Sequence, residues 1–279
     1  MPEGPEVRRE ADRIATAVVG KRLERVEFGI KWLARYRELL EGQRVIAVET
    51  RGKALLTHFD NNLSMYSHNQ LYGRWMICQA GRPPVTNRSL RVGLHTRKKS
   101  ALLFSATEIE MLPTPVVYAH PFLRKLGPDV LDERITWQDI AARLKDPRFV
   151  GRALAGLYLN QEFLAGIGNY MRSEILHEAV LAPSLRPRDL SRRELGGLAR
   201  ATLLIAQRAY VQAGVTNAPG RVRTLKRQGL RNAEYRFSVF DREDLPCYRC
   251  ATRIRRVEVS ARRLYFCPSC QQEPPETGC

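Results

Sequence analysis

The sequence predicts an α+β protein with a β-sandwich or barrel and a leading helix near its N-terminus, a helical region after it, and a small cysteine-flanked β-hairpin at the end. Three observations predict this. Apolar residues first recur with helical spacing, short β-rich runs then fill most of the first hundred residues, and helical spacing returns before two Cys-x-x-Cys pairs. We expect three domains, covering residues 1–120, 121–233 and 234–279.

A first helix is predicted almost at the N-terminus. Pro5 suits a first helical turn and Gly20 is a stop signal. The apolar residues between them repeat every three or four positions: Val7, Ala11, Ile14, Ala15 and Val18.

Several strands are predicted from about Leu23 to Phe104. The runs are separated by Gly, Asn and charged residues, which is typical of a sandwich or barrel. They are RVIAVET, ALLTHF, LSMYSH, GRWMIC, LRVGLHT and ALLFS.

Helices return after the segment HPFLRKLGPDVLD. Residues 136–139 and 191–194 each have the form of a capping box, and Gly214 closes a long helical pattern that ends at Ala213. In FLAGIGNYMRSEIL two glycines and an asparagine stand before a new helical run, which suits either a phosphate-binding helix start or an ordinary turn between packed helices.

Residues 215–233 are basic, rich in Gly and Asn, and lack a clear apolar period. We interpret this segment as a flexible linker that can become ordered on a polyanion.

Four of the six cysteines predict one structural zinc ion. Cys247 and Cys250 are separated by sixteen residues from Cys267 and Cys270, which is the spacing of two short loops around a tetrahedral zinc. Free thiols or disulfides are the alternative. The intervening residues alternate like a basic hairpin, which could contact DNA or protein. Cys78 and Cys279 have no evident partners, and we interpret Cys78 as a small hydrophobic residue at a strand end.

The charge is strongly basic, with 46 Lys and Arg against 29 Asp and Glu and a formal net charge of +17. Such an excess favours a nucleic-acid binder over a merely soluble surface, although charge alone does not separate DNA from RNA or anionic lipid. No apolar run approaches a bilayer span and MPEGPEVRRE has no signal core, so we expect a cytoplasmic protein.

The N-terminus carries a candidate nucleophile. If the initiator Met is removed, Pro2 has a free secondary amine, which can attack a sugar C1′ and form a cationic iminium. Glu3 and Glu6 lie where carboxylates could transfer protons. The structural alternative is that proline and acids at a helix start are ordinary N-terminal signals.

Several separated stretches together resemble the formamidopyrimidine-DNA glycosylase and endonuclease VIII family, and are closest to bacterial endonuclease VIII. They span nearly the whole chain in order: MPEGPEVRR, ETRGKALLTHF, YSHNQLYGRW, HPFLRKLGPDVLD, FLAGIGNYMRSEIL and the final hairpin with SARRLYFCPSC.

The resemblance implies roles for individual residues. Pro2 would form the Schiff base, Glu3 would assist base loss and sugar opening, and Lys53 would assist β-elimination and hold a phosphate. Arg262 would serve δ-elimination and bind phosphates. Its neighbour Arg263 is the alternative candidate for this role.

The resemblance also implies DNA contacts. Asn169, in a helix-two-turn-helix motif, and Lys125, where we expect an arginine in close relatives, would bind the DNA backbone. The segment Gln70, Leu71 and Tyr72 resembles endonuclease VIII and would bind DNA, with its apolar and aromatic side chains entering the base stack. From the sequence alone, Leu71 and Tyr72 would more often be core residues.

The resemblance therefore implies a bifunctional enzyme of base excision repair that removes oxidised pyrimidines and cleaves the strand by β,δ-elimination. An oxidised-purine glycosylase and a non-catalytic DNA-binding protein remain as alternatives. The implied partner is damaged DNA, which we expect to be duplex, and the implied enzyme is a bacterial, nucleoid-associated monomer with no membrane partner.

Overall fold

The computed structural model describes residues 2–272, so Met1 and Cys279 lie outside the described part of the chain. The chain divides into two compact units, Met1–Lys125 and Leu126–Cys279. The second unit contains both the predicted helical region and the zinc-finger hairpin. The division into three domains remains a prediction. None of the helices within residues 2–272 is long and apolar enough to cross a membrane.

The first unit begins with the predicted helix α1 (Gly4–Val18). Pro5 lies in its first turn, where no backbone N–H is required, and Glu6 Oε2 accepts a hydrogen bond from the Glu3 N–H at 3.1 Å. Val7, Ala11, Ile14 and Val18 are buried, so this face packs into the core.

Two four-stranded antiparallel sheets form the predicted β-sandwich. Their strand orders are β1-β6-β7-β5 and β2-β3-β4-β8, and α1 packs against strands of both sheets. The strands are β1 (Arg25–Phe28), β2 (Val45–Arg51), β3 (Ala54–Phe59), β4 (Leu63–His68), β5 (Arg74–Gln79), β6 (Leu90–His95), β7 (Lys99–Phe104) and β8 (Glu108–Pro113), with a short helix α2 (Arg37–Leu40) after β1.

Six of these strands match the β-rich runs in the sequence. The other two, β1 and β8, are edge strands that bury only alternate residues, and their short apolar patterns do not stand out. Cys78 lies near the end of β5 and is half-buried.

The second unit is helical and has a core of its own. Its helices are α3 (Trp137–Leu144), α4 (Leu154–Leu157), α5 (Asn169–Ala179), α6 (Arg192–Val211), α7 (Pro219–Arg227) and α8 (Asn232–Tyr235). Both predicted capping boxes are present: Thr136 caps α3 and Ser191 caps α6. Helix α6 ends two residues earlier than the sequence pattern predicts.

The prediction of a flexible linker at residues 215–233 is wrong, because most of the segment is helical. Val222 and Leu225 of α7 are buried against Val215 and Tyr235. Asn217 is also buried and donates to the Tyr235 carbonyl at 2.9 Å. Helix α7 has too few apolar residues to show a helical period in the sequence. It is stabilised instead by tertiary packing of the few that it has.

The hairpin strands β9 (Arg255–Val259) and β10 (Arg262–Phe266) pair in register across a two-residue turn. Both turn residues, Ser260 and Ala261, have positive φ, as a tight hairpin turn requires. Leu264 and Tyr265 are buried, and the Tyr265 N–H donates to Ser173 Oγ of α5 at 3.3 Å. The hairpin is therefore anchored on α5.

Candidate active site and nucleic-acid interface

A pocket of about 270 Å³ opens beside the N-terminal residue of the described chain. Pro2, partly exposed, lines it, and Glu3 is 3% exposed at the start of α1. Five further lining residues are charged: Glu6, Glu10, Arg13, Arg74 and Arg88. The uncharged ones all belong to the segment that follows β4: Asn69, Leu71, Tyr72 and Gly73. Pro2, the predicted nucleophile, therefore lies at the edge of a polar cavity.

Lys53 lies in the turn between β2 and β3 and is largely buried. It is close enough to His68, at the end of β4, to affect that imidazole. Burial lowers the pKa of His68, the Glu108 carboxylate opposes this, and the charge of Lys53 lowers it further. His68 is therefore held neutral, and its Nδ1 accepts the Gln70 N–H at 3.1 Å.

The loop of residues 69–73 joins β4 to β5 and presents two apolar side chains to solvent. Leu71 is 65% exposed and Tyr72 is 71% exposed. The expectation that side chains of this type would be core residues does not hold. Exposure of two large apolar neighbours is compatible with contact to a partner.

The amide of Gln70 is fixed at both ends. Its Nε2 donates to Glu108 Oε2 at 2.6 Å, and its Oε1 accepts from Thr107 Oγ1 at 3.0 Å. The Gln70 backbone has a positive φ of 48°. Arg88 Nη1 donates to the Tyr72 carbonyl at 2.7 Å. The loop is therefore held by several hydrogen bonds while its apolar tip stays exposed.

Lys125 ends a short 3-10 helix, Leu123–Lys125, and is exposed. It lies at the end of the first unit, where its ammonium is available to solvent.

In the second unit, the start of α5 contacts the hairpin strand that carries Arg262. Asn169 Nδ2 donates to the Arg263 carbonyl at 2.7 Å. Arg172, which is completely buried, donates to Asn169 Oδ1 at 2.7 Å and to the same carbonyl at 3.2 Å. The structure thus brings Asn169 to the Arg262–Arg263 backbone, while both arginine side chains remain exposed.

The four predicted zinc ligands converge. The sulfur atoms of Cys247, Cys250, Cys267 and Cys270 all lie within 4.8 Å of one another. Neighbouring sulfurs are 3.4 to 3.9 Å apart. A tetrahedral zinc with Zn–S bonds of about 2.3 Å places its sulfurs about 3.8 Å apart, so the cluster fits the ion.

Donors surround these sulfurs. The Arg249 N–H lies 3.4 Å from Cys247 Sγ, and the Cys270 N–H lies 3.4 Å from Cys267 Sγ. His177 Nε2 of α5 is 3.6 Å from Cys247 Sγ. Such contacts orient thiolate ligands and disperse their charge. Four sulfur ligands leave no open position for water, so the site is structural.

The sequence analysis missed Glu10, Arg88 and Glu108, which hold the 69–73 loop. Glu10 has one local signal, since it lies one turn after Glu6 on the same helix face. Arg88 and Glu108 have none, because each meets its partner only after the strands have paired.

Two protein-family models match the chain, one in each unit. Residues 1–107 match the family model described as the formamidopyrimidine-DNA glycosylase N-terminal domain. Residues 244–272 match the zinc finger found in FPG and IleRS.

Two full-length relatives are similar to the chain. Endonuclease 8 of Salmonella arizonae is 47% identical over 98% of this chain and 100% of its own length. Endonuclease 8 of Escherichia coli O17:K52:H18 is 48% identical over 97% of this chain and 100% of its own.

Solved structures share the fold. A complex of Lactococcus lactis Fpg (MutM) with DNA containing an oxidised pyrimidine has a TM-score of 0.79 and 21% identity, and covers 98% of this chain and 100% of that one. A complex of MutM with DNA containing carbocyclic 8-oxo-G has a TM-score of 0.79 and 20% identity, with the same coverage.

The fold, the zinc finger and the full-length relatives define the class of protein as a DNA glycosylase of base excision repair. The chain belongs to the formamidopyrimidine-DNA glycosylase and endonuclease VIII family.

Proposed function

We propose that this protein removes oxidised pyrimidines from damaged duplex DNA and then cuts the strand, as a monomer, with Pro2 as the nucleophile. The observation that carries the proposal is the position of Pro2, which precedes the N-cap Glu3 of α1 and lies in the wall of a polar pocket that the 69–73 loop also lines. Similarity over the full length to Endonuclease 8 proteins supports it.

In the first chemical step, a bond from the Pro2 nitrogen to C1′ replaces the bond from the base to C1′. The Pro2 nitrogen attacks C1′, the N-glycosidic bond breaks, and its electron pair leaves with the base. Glu3 gives a proton to the departing base, takes up the N–H proton that the Pro2 nitrogen loses, and gives it to O4′ as the C1′–O4′ bond breaks. The product is a cationic Schiff base between Pro2 and C1′.

The Schiff base then permits strand cleavage. Because it withdraws electrons, the C2′ proton becomes acidic, and its removal expels the 3′ phosphate. A second elimination expels the 5′ phosphate, which leaves a one-nucleotide gap with phosphate at both ends. We propose that Lys53 assists the first elimination and Arg262 the second.

The remaining residues bind DNA in this proposal. Lys125 and Asn169 contact backbone phosphates, and Gln70 contacts the DNA beside the lesion. Leu71 and Tyr72 enter the stack as the damaged nucleotide leaves it. Unstacking costs a few kcal/mol, and less at a damaged base, which contributes to selectivity. The exposure of Leu71 and Tyr72 supports this role.

Borohydride reduction tests the Schiff base. Wild-type protein incubated with a duplex containing thymine glycol should yield a covalent protein–DNA adduct. Pro2→Gly, whose N-terminal amine is primary and can still form an imine, should yield a smaller amount. Intact-mass measurement must show that Met1 has been removed, because an acylated Pro2 nitrogen is not nucleophilic. An active wild-type protein that forms no adduct, or that retains Met1, would overturn the proposal.

A second candidate function is the excision of oxidised purines. It is favoured by the match to the formamidopyrimidine-DNA glycosylase N-terminal domain and by the shared fold of a MutM complex with 8-oxo-G DNA. Single-turnover excision of thymine glycol and of 8-oxoguanine from matched duplexes separates the two. Faster removal of 8-oxoguanine would replace the pyrimidine proposal.

A further inference from the structure

Glu10 is a buried acid that connects α1 to the 69–73 loop. It lies two turns after Pro2 in the chain and is only 9% exposed. Its Oε1 accepts the Trp75 N–H at 2.9 Å, and its Oε2 accepts from Asn69 Nδ2 at 2.5 Å. Asn69 begins the loop and Trp75 follows it, so one carboxylate holds both ends.

The loop is closed on itself between these two attachments. The Gly73 N–H donates to the Asn69 carbonyl at 2.7 Å. A Cβ at Gly73 would lie 2.6 Å from Asn69 Cα and from its carbonyl oxygen, so only glycine fits this closure. A displacement of the ends relative to α1 would therefore move the whole loop, including Leu71 and Tyr72.

The same carboxylate lies in the wall of the pocket that Pro2 lines. Two cations, Arg13 and Arg74, also line this pocket and interact electrostatically with Glu10. Burial of a carboxylate is costly, whereas an apolar side chain could fill a gap between helix and sheet without that cost. The hydrogen bonds from Asn69 and Trp75, which an apolar side chain could not accept, explain why an acid occupies this position.

We propose that Glu10 is a positioning residue that sets the distance between the 69–73 loop and Pro2. With this distance fixed, C1′ of the damaged nucleotide reaches the Pro2 nitrogen when Leu71 and Tyr72 enter the DNA stack. The inference deepens the proposed function and rests on it.

Two substitutions test the role of the carboxylate. Glu10→Ala leaves the Trp75 N–H and the Asn69 amide without their acceptor. Glu10→Gln retains an acceptor for Trp75 and can donate to Asn69 once that amide is rotated, so it should restore the geometry without the charge. Glu38→Ala, an exposed acid in α2, is the matched control.

Two substrates separate loop positioning from nucleophile chemistry. A thymine glycol duplex requires stack entry, whereas a single strand with a ready-made abasic site requires only attack by Pro2. Glu10→Ala should slow single-turnover excision from the duplex by about tenfold or more, as expected for lost hydrogen bonds to a charged group. Borohydride trapping on the abasic single strand should stay within about twofold of wild type.

A spectroscopic readout reports the loop directly. 2-Aminopurine placed opposite a tetrahydrofuran abasic analogue becomes fluorescent when it is unstacked. Wild type, Glu10→Gln and Glu38→Ala should raise its fluorescence at similar rates, and Glu10→Ala should raise it more slowly.

Three results would overturn the inference: equal losses on both substrates, unchanged excision in Glu10→Ala, or failure of Glu10→Gln to recover. If Glu10→Ala does not fold, Asn69→Ala removes one of the two bonds and should give the same selective loss to a smaller extent. Failure of the proposed function is distinguishable, because wild type would then form no adduct on either substrate.

Discussion

At the scale of single residues, the first unit contains two acids that are nearly inaccessible to water, Glu3 at the N-cap of α1 and Glu10 within the helix. Glu3 precedes the helix, where carboxylates interact favourably with the helix dipole. Glu10 lies in the middle of α1, where the dipole has little effect, and is stabilised by Trp75, Asn69 and two arginines. The two acids therefore differ in what compensates their burial.

We predict a pH-dependent stability difference between wild type and Glu10→Gln. Burial raises the pKa of Glu10 above 4.5, although hydrogen bonds from Trp75 and Asn69 and the charges of Arg13 and Arg74 oppose this. A carboxyl whose pKa is raised by folding contributes its full stability below its unfolded pKa and loses it as the pH rises through the folded value. Glutamine does not ionise.

The free energy of unfolding of Glu10→Gln, relative to wild type, should therefore rise as the pH increases above about 4.3, the ordinary pKa of a glutamate side chain. Denaturant unfolding at a series of pH values measures it, with Glu38→Gln as the exposed control. A difference that stays constant across these pH values would contradict the prediction.

Gly73 provides a second prediction at this scale. Gly73→Ala introduces a Cβ that must displace Asn69, so we expect a loss of about 1–3 kcal/mol in unfolding free energy. Gly197→Ala in α6 is the control, because a Cβ there meets nothing within 4 Å and should stabilise the helix by about 0.5–1 kcal/mol. Equal stability of the two variants, by thermal or denaturant unfolding, would show that the loop adapts.

At the scale of elements, the β9–β10 hairpin is held from two directions. Its buried residues pack on α5 and on the second-unit core, and the cysteine cluster joins the segments before and after it. The hairpin carries exposed, charged side chains, among them Arg255, Arg256, Arg262 and Arg263. A short hairpin of this kind is marginal by itself, so zinc is expected to contribute to its folding.

We predict that Cys250→Ser loses zinc. Removing one of four thiolates leaves an incomplete tetrahedral site, and the variant should retain no metal after dialysis against a chelator, while wild type retains one zinc per chain. Elemental analysis by mass spectrometry measures this. Cys78→Ser is the control, since Cys78 lies in β5 outside the cluster. Full zinc retention in Cys250→Ser would contradict four-cysteine ligation.

At the scale of the whole molecule, the net charge of +17 is the main determinant of association with polyanions. The exposed Lys125, Arg262 and Arg263 contribute to this excess. Acidic residues are partly used in local pairs, for example Asp132 with Arg134 at 2.7 Å.

We predict a steep salt dependence of DNA binding. The logarithm of the association constant should fall with the logarithm of salt concentration, with a slope of about −0.9 for each phosphate neutralised. Fluorescence anisotropy across a salt series measures it. Arg262→Gln should reduce the magnitude of the slope by about one, while Arg134→Gln should leave it unchanged. A flat response in wild type would contradict phosphate binding.

Much of the fold could be predicted because its signals are local. The first helix, six of the eight sandwich strands, both capping boxes and the start of α5 follow from residues a few positions apart. The edge strands and α7 could not be predicted in this way. Their apolar residues are few, and β pairing or burial against distant residues stabilises them.

The sequence by itself determined the family and the zinc ligands, because motif spacing and full-length similarity can be recognised without any knowledge of the structure. Only the tertiary structure revealed that Leu71 and Tyr72 project outward and that Glu10 reaches Asn69, 59 positions further along the chain. The reason is physical. A metal-binding Cys-x-x-Cys loop is defined by neighbours in the chain, whereas a buried acid obtains its partners only when helix and sheet pack together.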